Sequence, residues 1–236
     1  MWGVGCVVLL ATLAAPVSAQ VGPPEPPDMN IAWDRCGAGG ASFKSFACDS
    51  NTGSEAIVVS FVPLQSRSDF GAIDADLYIE TSGGEALPSW WYVGSSGCRS
   101  GALAVSYDRG EDAACAQVTS AGQVLGWGYY PEWAGPNTAR LIVEVGPGAP
   151  GVPVTAGVEY FGFRVILNHM KSTGVDSCGG CSARVAIRLG PVVVTYVDGG
   201  LQDVLTSPIR QDTIALQSGL VPAKVPTWGQ IKALYR

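Results

Sequence analysis

Residues 73–81 read IDADLYIET, and every second residue is apolar. Ile73, Ala75, Leu77 and Ile79 fall on one side of an extended chain. Asp74, Asp76, Tyr78 and Glu80 fall on the other. A strand turns successive side chains to opposite faces, so this period of two marks a half-buried strand. The pattern recurs. In ARLIVEV, Leu141, Val143 and Val145 oppose Arg140, Ile142 and Glu144. In VEYFGFRVILN, Phe161, Phe163, Val165 and Leu167 oppose Tyr160, Gly162, Arg164 and Asn168. In ARVAIRL, Val185, Ile187 and Leu189 oppose Arg184, Ala186 and Arg188. AIVVSFVP (56–63) is a β-branched run, and PVVVTYV (191–197) is apolar on both faces, as a sandwiched strand is.

Turn-forming clusters such as GPGAPGVP (146–153) and VDGG (197–200) separate these segments, and no helical segment intervenes. Short half-apolar strands in that arrangement predict an all-β fold, a two-sheet antiparallel sandwich. Only 14% of residues are charged and 31 of 236 are Gly. That composition suits strands and turns rather than long helices.

The ends differ from this body. Residues 1–19, MWGVGCVVLLATLAAPVSA, carry no charge and end in the small-x-small pattern of a signal-peptide cleavage site. The apolar run is too short and too proline-broken to span a bilayer. Cys6 leaves with that segment. Residues 20–29, QVGPPEPPDM, are a proline-rich leader, expected as an extended spacer. The sandwich domain is expected over 30–218. Residues 219–236 form a basic tail with Lys224, Lys232 and Arg236 and no acid. Thr227 there suits the cap of a short helix carrying Trp228, Ile231 and Leu234 or Tyr235 on one face. The expected product is secreted, periplasmic or attached at the cell surface, with no membrane span in the mature chain. A net charge of −6 leaves no basic face for a nucleic-acid partner.

Six cysteines remain after the signal: Cys36, Cys48, Cys98, Cys115, Cys178 and Cys181. An even count in an exported chain implies disulfides. Sequential pairing is the simplest expectation: Cys36–Cys48, Cys98–Cys115 and Cys178–Cys181. The DSCGGCSA segment around the last pair also fits a redox motif or half a zinc site. A redox CxxC opens a helix, whereas SARVAIRL here reads as a strand. A zinc site needs a second ligand pair at comparable spacing, and His169 is the sole histidine. The segment is therefore read as a disulfide-tied turn entering a strand.

Catalytic signatures are sparse. There is no G-x-S-x-G, HExxH, P-loop or GxGxxG, so no catalytic residue, cofactor or metal is assigned. His169 is read as a surface or strand-end residue. Asp74 and Asp76 share one strand face about 6.5–7 Å apart, and Glu80 continues it. That spacing suits an acid/base hydrolase acting on polysaccharide, or a solvated acidic face. DRGED (108–112) lacks a calcium-loop rhythm.

Aromatic residues give the stronger lead. SWWYV (89–93) and GWGYYPEWAG (126–135) concentrate Trp90, Trp91, Tyr92, Trp127, Tyr129, Tyr130 and Trp133. On a loop, such residues form a platform for a glycan or a cell-surface protein. Buried, they are simply core, and if SWWYV is a strand one of its tryptophans faces inward. The ligand-binding candidates are Trp127, Tyr129, Tyr130, Trp133 and Trp91.

Several segments also carry a resemblance: WDRCGAGG with FACDSNTG, LPSWWYVGSSGCR, and YFGFRVILNHMKSTG leading into CGGCSARVAI. Through them the chain resembles a family of secreted bacterial β-sandwich proteins to which no activity is attached. The ending TWGQIKALYR resembles a tail shared by otherwise different exported proteins, which implies a sorting or attachment signal. The strand pattern around IDADLYIE is loosely similar to cohesin and carbohydrate-binding jelly-roll domains. The resemblance implies a jelly-roll or immunoglobulin/cohesin-like sandwich with a structural, adhesive or ligand-binding role. If disulfides staple it, a reducing agent lowers its melting temperature relative to the oxidised protein, read by thermal unfolding.

Overall fold

The computed structural model describes residues 28–110, 112–118, 122–206 and 208–217. The signal segment, most of the leader and the basic tail with its expected helix lie outside the described residues. Thirteen strands run through the described part: β1 (Asp28–Trp33), β2 (Phe43–Lys44), β3 (Ser54–Val62), β4 (Arg67–Thr81), β5 (Leu103–Ser106), β6 (Ala116–Gln117), β7 (Gln123–Pro131), β8 (Thr138–Gly146), β9 (Val152–Val154), β10 (Tyr160–Asn168), β11 (Val185–Tyr196), β12 (Gln202–Leu205) and β13 (Thr213–Leu216). Three short 3₁₀ turns, Gly37–Gly39, Ser89–Trp91 and Asp198–Gly200, interrupt them. β1 takes up Asp28 and Met29 from the end of the proline-rich stretch.

Two sheets make the expected sandwich. The smaller runs β1-β3-β10-β5, with β6 beside β10. The larger runs β2-β13-β11-β4-β8-β7, with β12 on β11 and β9 on β4. Pairing is antiparallel except for β6–β10 and β2–β13. The inward sides follow the alternation: Ile73, Ala75, Leu77 and Ile79 of β4 join Leu141, Val143 and Val145 of β8 in one buried core. Ile31, Trp33, Val59, Phe61, Phe163, Val165 and Leu167 of the smaller sheet belong to it too. Fully burying one such side chain contributes roughly 1.5–3 kcal/mol, so the core is the main source of stability.

Two bulges correct the alternation. Leu189 pairs with Leu77 and Val192 with Ala75, so one extra residue is accommodated at Gly190–Pro191. ARVAIRL and PVVVTYV, read as separate strands, are therefore the single strand β11. A bulge is where a strand tolerates proline, which has no N–H for the ladder. The second shift lies between Phe161 and Phe163 of β10. A Cβ at Gly162 would stand 2.7 Å from Ile73 Cδ1 and 3.0 Å from the Val59 carbonyl oxygen. Phe161 thus leaves the core side expected for it and joins Cys36, Val58 and Cys115 in a separate buried cluster.

The cysteines also pair differently from the sequential expectation. The bonds are Cys48–Cys181 and Cys98–Cys178, across sequence separations of 133 and 80. Cys36 and Cys115 take part in neither bond and are buried. CGGC does not close on itself. Its turn is seated on the segment before the first tryptophan pair, where the Trp90 N–H donates to the Gly179 carbonyl at 2.9 Å. Each cysteine of the turn then reaches a different distant loop. Bonds over such long separations remove more freedom from the unfolded chain than a four-residue clip does, on the order of 4–5 kcal/mol each in the entropy model.

Arg99, beside Cys98, organises the same corner. Its side chain is fully buried. Nε donates to the Met170 carbonyl at 2.9 Å, Nη1 to the Trp90 carbonyl at 2.9 Å, and Nη2 to the Asn168 carbonyl. The guanidinium also lies 3.5 Å over the Trp90 ring. Burial draws its pKa down to about 10, which leaves it charged at neutral pH. Trp90 in turn donates from Nε1 to Ser172 Oγ at 2.9 Å.

Phe46 stacks on His169 at 4.3 Å. That histidine follows β10 directly but is buried rather than at the surface, with Nε2 3.0 Å from Glu55 Oε1. Lys44 closes the group by pairing with Glu55.

Replacing Arg99 by Met keeps the stem and removes every donor. Three carbonyls then lose a buried partner, and urea denaturation is expected to show a loss of roughly 3 kcal/mol.

Candidate ligand-binding surface

Most of GWGYYPEWAG is strand rather than loop. Residues 123–131 form β7, the outermost strand beside β8, and a turn through Glu132 and Gly135 returns the chain to β8. Glu132 takes a positive φ of 57° there. Register with β8 decides where each ring goes. Trp127 stands opposite Val143 and Tyr129 opposite Leu141, so both point to the core side. Gly126, Gly128 and Tyr130 stand opposite Glu144, Ile142 and Arg140, on the outer side.

At the sheet edge the core side is not fully covered. Trp127 is 45% exposed, and it lines a cleft of about 410 Å³ with Val93, Gly94, Ser95, Ser100, Leu103 and Tyr129. Tyr129 is half-buried in its wall and donates its hydroxyl to the Trp91 carbonyl. Burial, and then the neighbouring Tyr92, push the Tyr129 hydroxyl pKa upward. Trp91 itself is 1% exposed and Trp90 is fully buried. SWWYV is a 3₁₀ turn rather than a strand, which lets both tryptophans face inward. Trp91 therefore supports the cleft from beneath and offers no ring to a ligand.

The outer side carries a second aromatic group. Tyr130 and Trp133 are 47% and 51% exposed, with ring centroids 6.2 Å apart in an edge-to-face arrangement. Tyr130 folds over Gly128, whose added Cβ would lie 2.9 Å from the tyrosine hydroxyl. The Arg140 guanidinium sits 4.5 Å over the Trp133 ring. It also grips Asp76 with two hydrogen bonds, of 3.0 and 2.7 Å. Tyr78 donates to the same carboxylate at 3.3 Å, and Arg188 lies 4.6 Å over the Tyr78 ring. The result is a continuous file of rings and charges across β11, β4, β8 and the turn after β7. On the other side of the edge, Tyr92 donates to Glu132 at 2.8 Å.

The acidic face predicted on β4 is present. Asp74 and Asp76 line a shallow depression of about 180 Å³ with Arg140, Ile142, Pro191 and Val193. Glu80 lies further along, exposed. The two aspartates have different surroundings. Asp76 is committed to Arg140. Asp74 has its carboxyl pKa raised, first by partial burial and then by Glu144 and Asp76. Among the described residues no group of three or more His, Cys, Asp or Glu is placed to hold a metal ion.

What sequence reading missed is the support for this surface: Arg140, Tyr92 and Glu132. Arg140 was visible as an outward residue of ARLIVEV. Only the register of β8 between β4 and β7 brings it to Asp76 and to Trp133.

No protein-family model matches the chain. No curated protein matches it either. Among solved structures, the chain is similar to a cohesin module of a family 33 glycoside hydrolase from Clostridium perfringens, at 8% identity and a TM-score of 0.40. That match covers 81% of this chain and 96% of the module. It is also similar to AvmM, which catalyses macrocyclization in alchivemycin A biosynthesis, at 9% identity and a TM-score of 0.36. That match covers 78% of this chain and 89% of AvmM. Similarity at this level carries no argument about family or activity. The two disulfides suit an oxidising compartment. No helix among the described residues is long and apolar enough to cross a membrane.

The Asp74 environment gives a pH test. Its folded pKa is raised, so ionised Asp74 destabilises the fold. The penalty is full above the raised folded value and absent below the unfolded one. Asp74→Asn is therefore expected to raise the melting temperature at pH 7. The advantage should vanish below about pH 3, where the carboxyl is neutral in both states. Thermal melts of both proteins across that range check it.

Proposed function

We propose that this is an exported, non-catalytic β-sandwich that binds a glycan through the aromatic edge formed by Trp127, Tyr130 and Trp133. The observation that carries this is the exposure of three large rings, each about half open to water, on one outermost strand and its turn. Exposed apolar surface concentrated along one sheet edge, here on both of its sides, marks a binding site. Tyr129 belongs to the site as the wall of the Trp127 cleft, and Trp91 as the buried group that accepts its hydroxyl. Sugars present an apolar ring face and a rim of hydroxyls. The rings meet the first, and Arg140, Ser95, Ser100 and Glu132 stand near enough to the rings to meet the second. A cell-surface protein is the other partner for which the same surface has the chemistry.

Asp74 favours a second reading, a secreted acid/base hydrolase acting on polysaccharide. A carboxyl whose pKa is raised by its surroundings is the starting point for a general acid. Against it, Asp76 is held by two hydrogen bonds to Arg140 and is not free to act with Asp74.

Trp127→Ala and Trp133→Ala separate these readings on a glycan array with a polysaccharide-hydrolysis assay alongside. Both side chains are half-exposed, so the variants are expected to fold with unchanged melting temperature. Each is expected to weaken glycan binding roughly 10-fold or more, as truncating an aromatic anchor does. Binding that survives both substitutions would reject the platform. Release of sugar that disappears in Asp74→Asn would establish the hydrolase instead. Pull-down of a surface protein that both tryptophan variants lose, with no glycan bound, would assign the protein partner.

A further inference from the structure

We propose that Cys36 and Cys115 form a third disulfide, which straps the loop before β6 and the turn after β1 onto the outer side of the smaller sheet. Sequential pairing would have sent these residues to Cys48 and Cys98. Both of those are engaged elsewhere, in the bonds to Cys181 and Cys178. The two remaining thiols lie in one buried cluster of four residues, whose other members are Val58 and Phe161. They are within hydrogen-bond reach of each other.

The backbone holds them there without the sulfurs. Asp112 clamps both segments with one carboxylate: Oδ2 accepts the Cys36 N–H at 2.7 Å and Oδ1 the Ala114 N–H at 3.0 Å. The Ala116 N–H donates to the Glu159 carbonyl at 2.9 Å, which fixes β6 against β10. Arg109 donates to the Cys115 carbonyl at 2.6 Å. Gly37 follows Cys36 at a φ of +61°, and a Cβ there would meet Glu159 Oε2 at 3.3 Å, so the turn lies close against the Glu159 side chain. The bulge at Gly162 completes the arrangement by turning Phe161 outward over the pair.

The chemistry is thiol–disulfide exchange with an external disulfide as oxidant. The thiolate of one cysteine attacks that disulfide, forms a mixed disulfide and expels one thiol. The second cysteine attacks the mixed disulfide and expels the other. Two S–H bonds are lost, one S–S bond forms, and the oxidant leaves as two thiols. Within the closed cluster this reaction is slow. The Cys115 contact, burial and the nearby Asp112 and Glu159 hold Cys36 far above the ordinary thiol range, so little thiolate exists there. The bond therefore forms as the two segments dock, and once made it is shielded from reduction.

The test is alkylation of the exported protein, denatured without reductant, followed by digestion and mass spectrometry. The expected result is a Cys36–Cys115 cross-linked peptide, two hydrogens lighter than the separate peptides, with no label on either cysteine. Cys36→Ala alone should then leave Cys115 fully labelled. Label on both cysteines of the unaltered protein, with the other two bonds intact, would overturn the proposal. So would a link from either to a different cysteine. The unaltered protein decides the matter even if the variant fails to fold.

Discussion

A guanidinium taken out of water needs acceptors for its donors, and Arg99 finds them in three backbone carbonyls from two separate segments. Trp90 supplies one, and Asn168 and Met170 at the end of β10 supply the others. The two segments can satisfy the charge only in one mutual arrangement. Cys98–Cys178 fastens the same two segments, and Cys48–Cys181 brings in the stretch that carries Phe46. The tryptophan turn is thereby fixed over the end of the sandwich. Its next residue, Trp91, offers the carbonyl that orients Tyr129 on β7. Burial of a charge at one end of the sandwich is thus connected, through a few hydrogen bonds, to the strand that carries the exposed rings.

That connection bears on function. Three half-exposed aromatic rings gain free energy by collapsing onto any apolar neighbour. They stay in water because their backbone is held. β7 is hydrogen-bonded along β8, Tyr130 rests on Gly128, and Trp133 is covered on one side by Arg140. Arg140 is itself held by Asp76, so an acid that looked available for catalysis serves to position an aromatic surface. Asp74, two residues earlier on the same face, has no such partner and stays in the company of Glu144 and Asp76.

Much of the sandwich was legible as alternation. β3, β4, β8 and β10 fall where the pattern puts them, and the inward side is the apolar one throughout β4 and β8. Where the alternation misled, glycine or proline sat at the break. Gly162 has no room for a Cβ and shifts the register, sending Phe161 to the other side. Gly190–Pro191 looked like a break between strands and is a bulge within one. Gly162 was read as an ordinary strand residue and Gly190–Pro191 as punctuation, when inside a sheet both mark insertions. The candidate surface was legible as a concentration of aromatics. Which rings reach water was not, because Trp91 and Trp127 look alike until the sheets are assembled.

The sequence alone determined the class of fold, since side-chain alternation is a local consequence of extended backbone and needs no knowledge of neighbours. It also determined that cysteine chemistry and aromatic rings are the two resources of this chain. Tertiary structure alone decided how each is used. Cysteine partnership depends on which loops meet at the end of the sandwich, and it joins residues 133 and 80 positions apart. Exposure depends on which strand lies outermost, and β7 occupies that position because no further strand of the larger sheet pairs beyond it among the described residues. Both are contacts between distant parts of the chain, and no short stretch of residues encodes them.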